Sequence, residues 1–126
     1  TNTVSYITQI NTGASVISFD WSFDEHFLAV VNNSSALFKA YDFSGNALTS
    51  AGMSSSASTN YLCARWHPTL NLLVTGRRQN MSVNNIELWH YDADTNSFTS
   101  LDQEVQNKDI TALAWHPSGN YLAVGT

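Results

Sequence analysis

Three stretches of the chain carry the same arrangement of apolar and polar positions. Counting from Trp115, apolar residues stand five before it (Ile110), two before it (Leu113) and in a run over 121–124. Trp66 repeats the frame with Tyr61, Ala64 and the run 72–74, and Trp21 repeats it with Val16, Phe19 and the run 27–30. The three tryptophans lie 45 and 49 residues apart. A repeat of that length, written in short apolar segments rather than helical stripes, marks an array of small sheets of the propeller kind.

The local pattern predicts eleven strands, over 4–10, 16–21, 27–31, 37–41, 47–53, 61–66, 72–76, 86–91, 98–105, 110–115 and 121–126. Several alternate apolar and polar residues. In 16–21, Ile17 and Phe19 fall on one face and Ser18 and Asp20 on the other. The continuous apolar run at 27–31 reads instead as a strand covered on both faces. Turn residues separate the strands, as in Asn11-Thr-Gly13, Asn32-Asn-Ser-Ser35 and Phe43-Ser-Gly-Asn46. No window carries apolar residues at helical spacing over three turns, so the fold class is all-β. Four antiparallel strands in series make one meander. The expected organisation is a single partial propeller over 1–126: an outer strand of a preceding blade at 1–10, one blade at 14–53, a second at 58–105 and the first half of a further blade at 109–126.

Composition refines this picture. Only 12% of residues are charged, about half the usual share. Ser, Thr and Asn make up roughly a third of the chain and supply the polar surface instead. Ten acidic against five basic residues give a formal charge of −5, the wrong sign for a phosphate backbone, so nucleic acid is not expected as a partner. Cys63 is the only cysteine and sits in an apolar strand pattern, where it reads as a small buried hydrophobe. No apolar run approaches the length of a membrane span and no basic-plus-apolar leader is visible, so the expected setting is intracellular, cytoplasmic or nuclear.

Candidate chemistry is sparse. His67 and His116 are repeat-equivalent, and equivalent positions in successive blades lie on a ring, well beyond the ~2 Å that a shared zinc ion needs. Asp92-Ala-Asp-Thr-Asn96 opens like a calcium loop, but Ser97 stands where the loop needs Gly and Gln103 where it needs the bidentate Glu, which leaves a hairpin turn. No nucleophile elbow, phosphate-binding loop or dinucleotide fingerprint occurs. The expectation is a non-enzyme with no catalytic, metal or cofactor residues.

At the level of motif the chain resembles the WD40-repeat β-propeller family. The resemblance rests on Trp-His-Pro-Ser-Gly-Asn at 115–120, its copy Trp-His-Pro-Thr-Leu-Asn at 66–71, and the strand ends Phe38-Lys-Ala-Tyr-Asp42 and Ile86-Glu-Leu-Trp-His90. It covers essentially the whole chain, with departures. The family's Gly-His pair is replaced by Asn11-Thr12, Ser56-Ala57 and Val105-Gln106. The small hydroxyl of the second strand survives only as Thr75, with Val30 and Val124 at the other two positions. Asp42 keeps the Asp of the namesake pair, whereas His90 does not. These departures predict that the family's buried hydrogen-bond network is missing. Divergent repeats of this kind resemble those of large scaffolding assemblies.

The resemblance implies an incomplete ring, since propellers close with about four to eight blades. Additional blades from the same or another chain are therefore expected to cover the outer faces. It also implies a scaffold that holds other proteins in a multiprotein complex; the alternative is a propeller domain that positions or gates substrate for a catalytic domain elsewhere in a larger enzyme. Alternating strand direction puts the loops at 32–35, 54–60, 77–85 and 106–109 on one face. From that face come the candidate partner-binding residues Arg77, Arg78, Asn80, Met81, Asn32, Asn33, Asn60 and Lys108.

Overall fold

The computed structural model describes residues 3–33, 37–53, 60–80 and 84–126. Among them there is no helix, and ten strands form three antiparallel sheets. The first sheet is β1 (Val16–Trp21), β2 (Phe27–Asn32), β3 (Phe38–Ser44) and β4 (Ala47–Met53), paired in chain order. The second repeats that order with β5 (Tyr61–Trp66), β6 (Leu72–Arg77), β7 (Ile86–Asp92) and β8 (Ser97–Glu104). The third pairs β9 (Ala112–Trp115) with β10 (Leu122–Gly125). The first strand of each sheet lies beside the first strand of the next, β1 against β5 and β5 against β9. The sheets therefore fan out from a common inner edge, as propeller blades do.

The tryptophan frame acquires a physical meaning in this arrangement. Apolar positions five and two before the tryptophan differ by three residues, which places them on opposite faces of a regular strand. The ladder between β5 and β6 shifts register between Tyr61 and Cys63, and such a bulge changes the parity of the strand. Tyr61, Ala64 and Trp66 thereby share one face, buried with Leu73, Trp89 and Tyr91 against Phe27, Ala29, Val31, Phe38 and Ala40 of the first sheet. Cys63 points the other way and packs with Val74, Ile110 and Leu113. β1 carries the same shift between Val16 and Ser18.

Aromatic rings dominate the first interface. Phe38 meets Tyr61, Trp89 and Phe98 edge-on at centroid distances of 5.1, 5.2 and 4.7 Å, and Phe27 meets Tyr91 at 4.9 Å. Each such pair adds about 0.5–1.5 kcal/mol beyond the area it buries. Polar groups finish the seam at the inner edge. The Trp66 amide donates to Asp20 Oδ2 at 2.8 Å, and Arg65 Nη1 donates to Ser18 Oγ at 2.9 Å. Ser18 and Asp20 are thus the packed face of β1, while Ile17 and Phe19 are exposed.

Two sequence expectations change here. The strand over 4–10 is not formed, since residues 3–12 pair with no sheet. Alternation alone makes no strand without a neighbour to take its hydrogen bonds. The segment instead crosses the outer face of the first sheet, where Gln9, Ile10 and Thr12 border a hollow of about 320 Å³ with Val16, Phe19, Leu28, Val30 and Leu48. The Asn32 side-chain amide donates to the Thr12 carbonyl at 3.3 Å and holds it there. The second change concerns the network expected to be missing. Trp89 Nε1 donates to Thr75 Oγ1 at 2.9 Å inside the second sheet, so part of a buried network survives where the hydroxyl survives.

Candidate protein-binding loop face

The connections β2–β3, β4–β5, β6–β7 and β8–β9 leave the sheets at one end, and the described residues of the last three are joined by backbone bonds. The Arg78 amide donates to the Asn60 carbonyl at 3.0 Å, Ile110 to Arg77 at 3.1 Å, and Asn85 to Glu104 at 3.1 Å. Asn33, Asn60 and Arg78 come together around a cleft of about 230 Å³, completed by Ile17, Tyr61 and Leu62. Asn33 and Arg78 are exposed and Asn60 is half-buried. Asn80 and Lys108 are also exposed on this side, but they do not line the cleft. Met81 lies outside the described residues.

Two candidates are turned inward. Arg77 is the last residue of β6 and is buried at 6% exposure, so it presents no surface to a partner. Its Nη2 lies 3.5 Å from Glu87 Oε2 and donates to the Asn84 carbonyl, and its guanidinium carbon stands 5.4 Å from the centre of the Tyr61 ring. Sequence position made it a loop residue. The buried carboxylate one strand away makes it a structural one. Asn32 is likewise buried, occupied with Thr12.

Two residues that the sequence did not single out build the platform. Glu87 is buried in β7, and its Oε1 accepts from Ser100 Oγ and Gln103 Nε2, each at 2.6 Å. A lone acid amid Ile86, Leu88 and Trp89 was the available signal, because a buried carboxylate needs a partner. Asn85 is buried as well. Its Nδ2 donates to the Lys108 carbonyl and its Oδ1 accepts from the Gln106 amide, both at 2.7 Å. One side chain therefore fixes the whole β8–β9 connection, and the Gln79 amide, donating to Asp109 Oδ1 at 2.7 Å, ties that connection to the β6–β7 loop.

The remaining reactive side chains are committed to structure. His67 is buried, with Nε2 3.1 Å from the Gly119 carbonyl, Nδ1 accepting from the Thr69 amide, and its ring 4.8 Å from that of Trp115. Burial pushes the Cys63 thiol up to about 11 and so keeps it protonated. Asp92 caps the amides of Asp94 and Thr95 in a turn, and those bonds hold its carboxyl below the usual value. Among the described residues no three His, Cys, Asp or Glu side chains gather as a metal site, and no helix is long and apolar enough to cross a membrane.

Two other hollows lie on the faces of the blades. One of about 190 Å³ is lined by Val74, Ile86 and Leu88 of the second sheet, by Trp115 and Leu122 of the third, and by the polar Asp102, Gln103 and Glu104 of β8. The other, about 410 Å³, is bordered by Trp21, Glu25 and Phe43. The Trp21 and Phe43 rings meet at 5.4 Å as their repeat equivalents Trp66 and Tyr91 do at 5.8 Å. In the second sheet Phe27 of the preceding blade fills that position, whereas the first sheet leaves it open.

Comparison with known proteins places this architecture. The family model described as eukaryotic translation initiation factor eIF2A matches residues 1–126. No curated protein is significantly similar to the chain. Among solved structures, the chain is similar to the crystal structure of a mitotic checkpoint complex at 15% identity and a TM-score of 0.74, covering 91% of this chain and 35% of that one. It is similar to Saccharomyces cerevisiae Sqt1 at 16% identity and a TM-score of 0.66, covering 85% and 28%. It is also similar to the RRP9 WD40 repeats at 12% identity and a TM-score of 0.70, covering 87% and 34%. At these identities the likeness is one of fold, the WD40-type β-propeller. The chain spans about a third of the length of each of these structures.

Proposed function

The chain belongs to the eukaryotic translation initiation factor eIF2A family, and from that premise we propose that it is a non-enzymatic scaffold module of a larger WD40-like propeller. It holds other proteins in a multiprotein assembly through the loop face around Asn33, Asn60 and Arg78. The family's description favours an assembly of the translation initiation machinery and an intracellular setting. In this reading, blades at 14–53, 58–105 and 109–126 and a segment at 1–10 belong to a ring whose further blades, from the same or another chain, cover the open apolar faces at Trp21 and at Leu122.

The observation that carries the reading is the construction of the loop face. The β8–β9 connection is fixed by the buried Asn85 side chain, and backbone bonds tie the described ends of the β4–β5, β6–β7 and β8–β9 connections together, while Asn33, Arg78, Asn80 and Lys108 are exposed beside them. Exposed side chains on a rigid platform suit recognition, because little ordering entropy is lost on binding.

The test is quantitative affinity capture with the wild-type chain and with Arg78→Glu/Lys108→Glu. Loss of the captured proteins with an unchanged melting curve supports the reading. Capture unaffected by the substitutions moves the interface elsewhere, and turnover abolished by substitutions within the chain overturns the non-enzymatic reading.

A further inference from the structure

We propose that the chain pairs head to tail with a second copy of itself, the Tyr121 ring of one copy entering the hollow bordered by Trp21, Glu25 and Phe43 on the other. The inference rests on the incomplete ring of the reading above and names the partner that covers its first sheet.

Three hydrogen bonds establish that Phe27, Leu72 and Tyr121 are one position in three repeats. The residue after each tryptophan donates its amide to that position's carbonyl, Ser22 to Phe27, His67 to Leu72 and His116 to Tyr121, each at 2.8 Å. Phe27 shows what an aromatic ring does there. It is buried against the next sheet, 4.9 Å from Tyr91 and in one cluster with Trp66. Tyr121 carries the same kind of ring on the third sheet, yet it is 72% exposed. Its contact with His116 at 5.9 Å is no obstacle, since Phe27 keeps a like contact with His26 at 6.5 Å.

The other end of the array holds the complementary seat. Trp21 and Phe43 meet at 5.4 Å as Trp66 and Tyr91 do at 5.8 Å, and a hollow of about 410 Å³ lies beside them where the second sheet receives Phe27. One copy thus has a ring without its seat and a seat without its ring. Stacking the third sheet on the first continues the contacts that already join β1 to β5 and β5 to β9.

Glu25 sharpens the match. It borders the hollow and lies at φ +64°, a left-handed conformation disfavoured for any residue with a Cβ. The third repeat has Gly119 at the same turn position, at φ +76°, and the second has Leu70. The sheet that receives Phe27 therefore has an apolar residue in that turn, and the sheet proposed to receive Tyr121 has a carboxylate able to accept from its hydroxyl. Residues 3–12 lie over the far part of the same face without pairing to a sheet, above a hollow of about 320 Å³. The incoming strands displace that segment and break no ladder. Two copies supply six sheets from three each, within the roughly four to eight at which propellers close, so the pair ends in a ring rather than a filament.

Sedimentation velocity of the whole chain over a range of micromolar concentrations should show a monomer giving way to a dimer. Tyr121→Asp and Trp21→Ala should each remain monomeric. Tyr121→Phe should pair about tenfold more weakly, the value of one hydrogen bond to a carboxylate. Melting curves at the lowest concentration check the fold of each variant, which both exposed positions should leave intact. The decisive sample mixes Tyr121→Asp with Trp21→Ala. Each copy then keeps one surface, and head-to-tail pairing predicts a mixed dimer although neither variant pairs alone. A wild-type chain that stays monomeric, a dimer indifferent to both substitutions, the absence of the mixed dimer, or a Trp21 face that binds only a different protein would overturn the proposal. If the chain stays monomeric while its loop face captures proteins through Arg78 and Lys108, this proposal falls and the scaffold reading stands. A dimer that captures nothing has the reverse meaning.

Discussion

Trp89 donates its indole hydrogen to the Thr75 hydroxyl across 2.9 Å, and both residues are buried in the middle of the second sheet. The bond joins β6 to β7 through side chains where their backbones are already laddered. Thr75→Val keeps the shape and removes the acceptor. A buried donor left unsatisfied costs about 1–3 kcal/mol, so denaturant unfolding should show a loss of that size. Val30 occupies the equivalent place in the first sheet, across from Lys39 and diagonal to Tyr41 rather than to a tryptophan, so Val30→Thr should bring no matching gain.

The Arg77 and Glu87 pair should behave as a unit. Removing one partner leaves the other charge buried, which costs about 3–5 kcal/mol. Arg77→Met and Glu87→Leu alone should each unfold the chain at markedly lower denaturant. The double variant should recover most of the loss, because two apolar side chains of similar volume replace a desolvated pair. Additive losses in the double variant would show that the two groups are not coupled.

Interface aromatics should be costly to truncate. Trp66 is buried and touches Tyr91 and Phe98, and Phe27 fills the position above Tyr91. Trp66→Ala and Phe27→Ala should each lower stability by about 3–5 kcal/mol. Trp115 is only half-buried, so Trp115→Ala should cost visibly less in the same thermal melt.

Asp20 should give stability an inverted response to acid. Burial is the main reason its carboxyl titrates above the ordinary 3.8, with the Trp66 amide and Arg65 pulling the other way. A raised folded-state value means the folded chain holds the proton more tightly than the unfolded chain. Its contribution is therefore fullest below 3.8 and is lost as pH rises through the raised value. The melting temperature of wild type minus that of Asp20→Asn should accordingly increase on acidification through that window. A difference that stays flat or decreases would reverse the assignment. The carboxylate is only partly buried, so solvent screening keeps the effect small.

Gly119 should tolerate no side chain. Its φ is +76°, and a Cβ there would collide with His67 Nε2. Gly119→Ala should lower the melting temperature through both strain and overlap, by about 1–3 kcal/mol for the backbone alone. Combining it with His67→Ala should relieve the overlap but not the backbone strain.

Much of the fold was written in the apolar pattern. The strands of the two full sheets fall within a few residues of their expected places, because alternation and turn residues are local properties. The tryptophan frame marked buried residues in the second sheet, Tyr61, Ala64 and Trp66, but exposed ones in β1, Val16, Phe19 and Trp21, and the bulge beside Cys63 explains why three-residue spacing can serve one face. The segment 4–10 forms no strand here, because pairing is not local. The burial of Arg77 escaped the sequence for a related reason: its partner sits ten positions away on the neighbouring strand, and a loop-like sequence, Arg77-Arg-Gln-Asn, hid the end of β6. The loop cluster followed from strand direction alone. The cleft between Asn33 and Arg78 did not, since it depends on how two blades meet at β1 and β5.

The seat of His67 gives the array a direction in time as well as in space. The ring belongs to the repeat made first, and the carbonyl it meets, at Gly119, belongs to the repeat made after it. During synthesis from the N-terminus at about 5–20 residues per second, several seconds separate the two. Through that interval the second sheet exists without its final contact. The second repeat is finished only when the turn of its successor has emerged, so its maturation is completed from downstream.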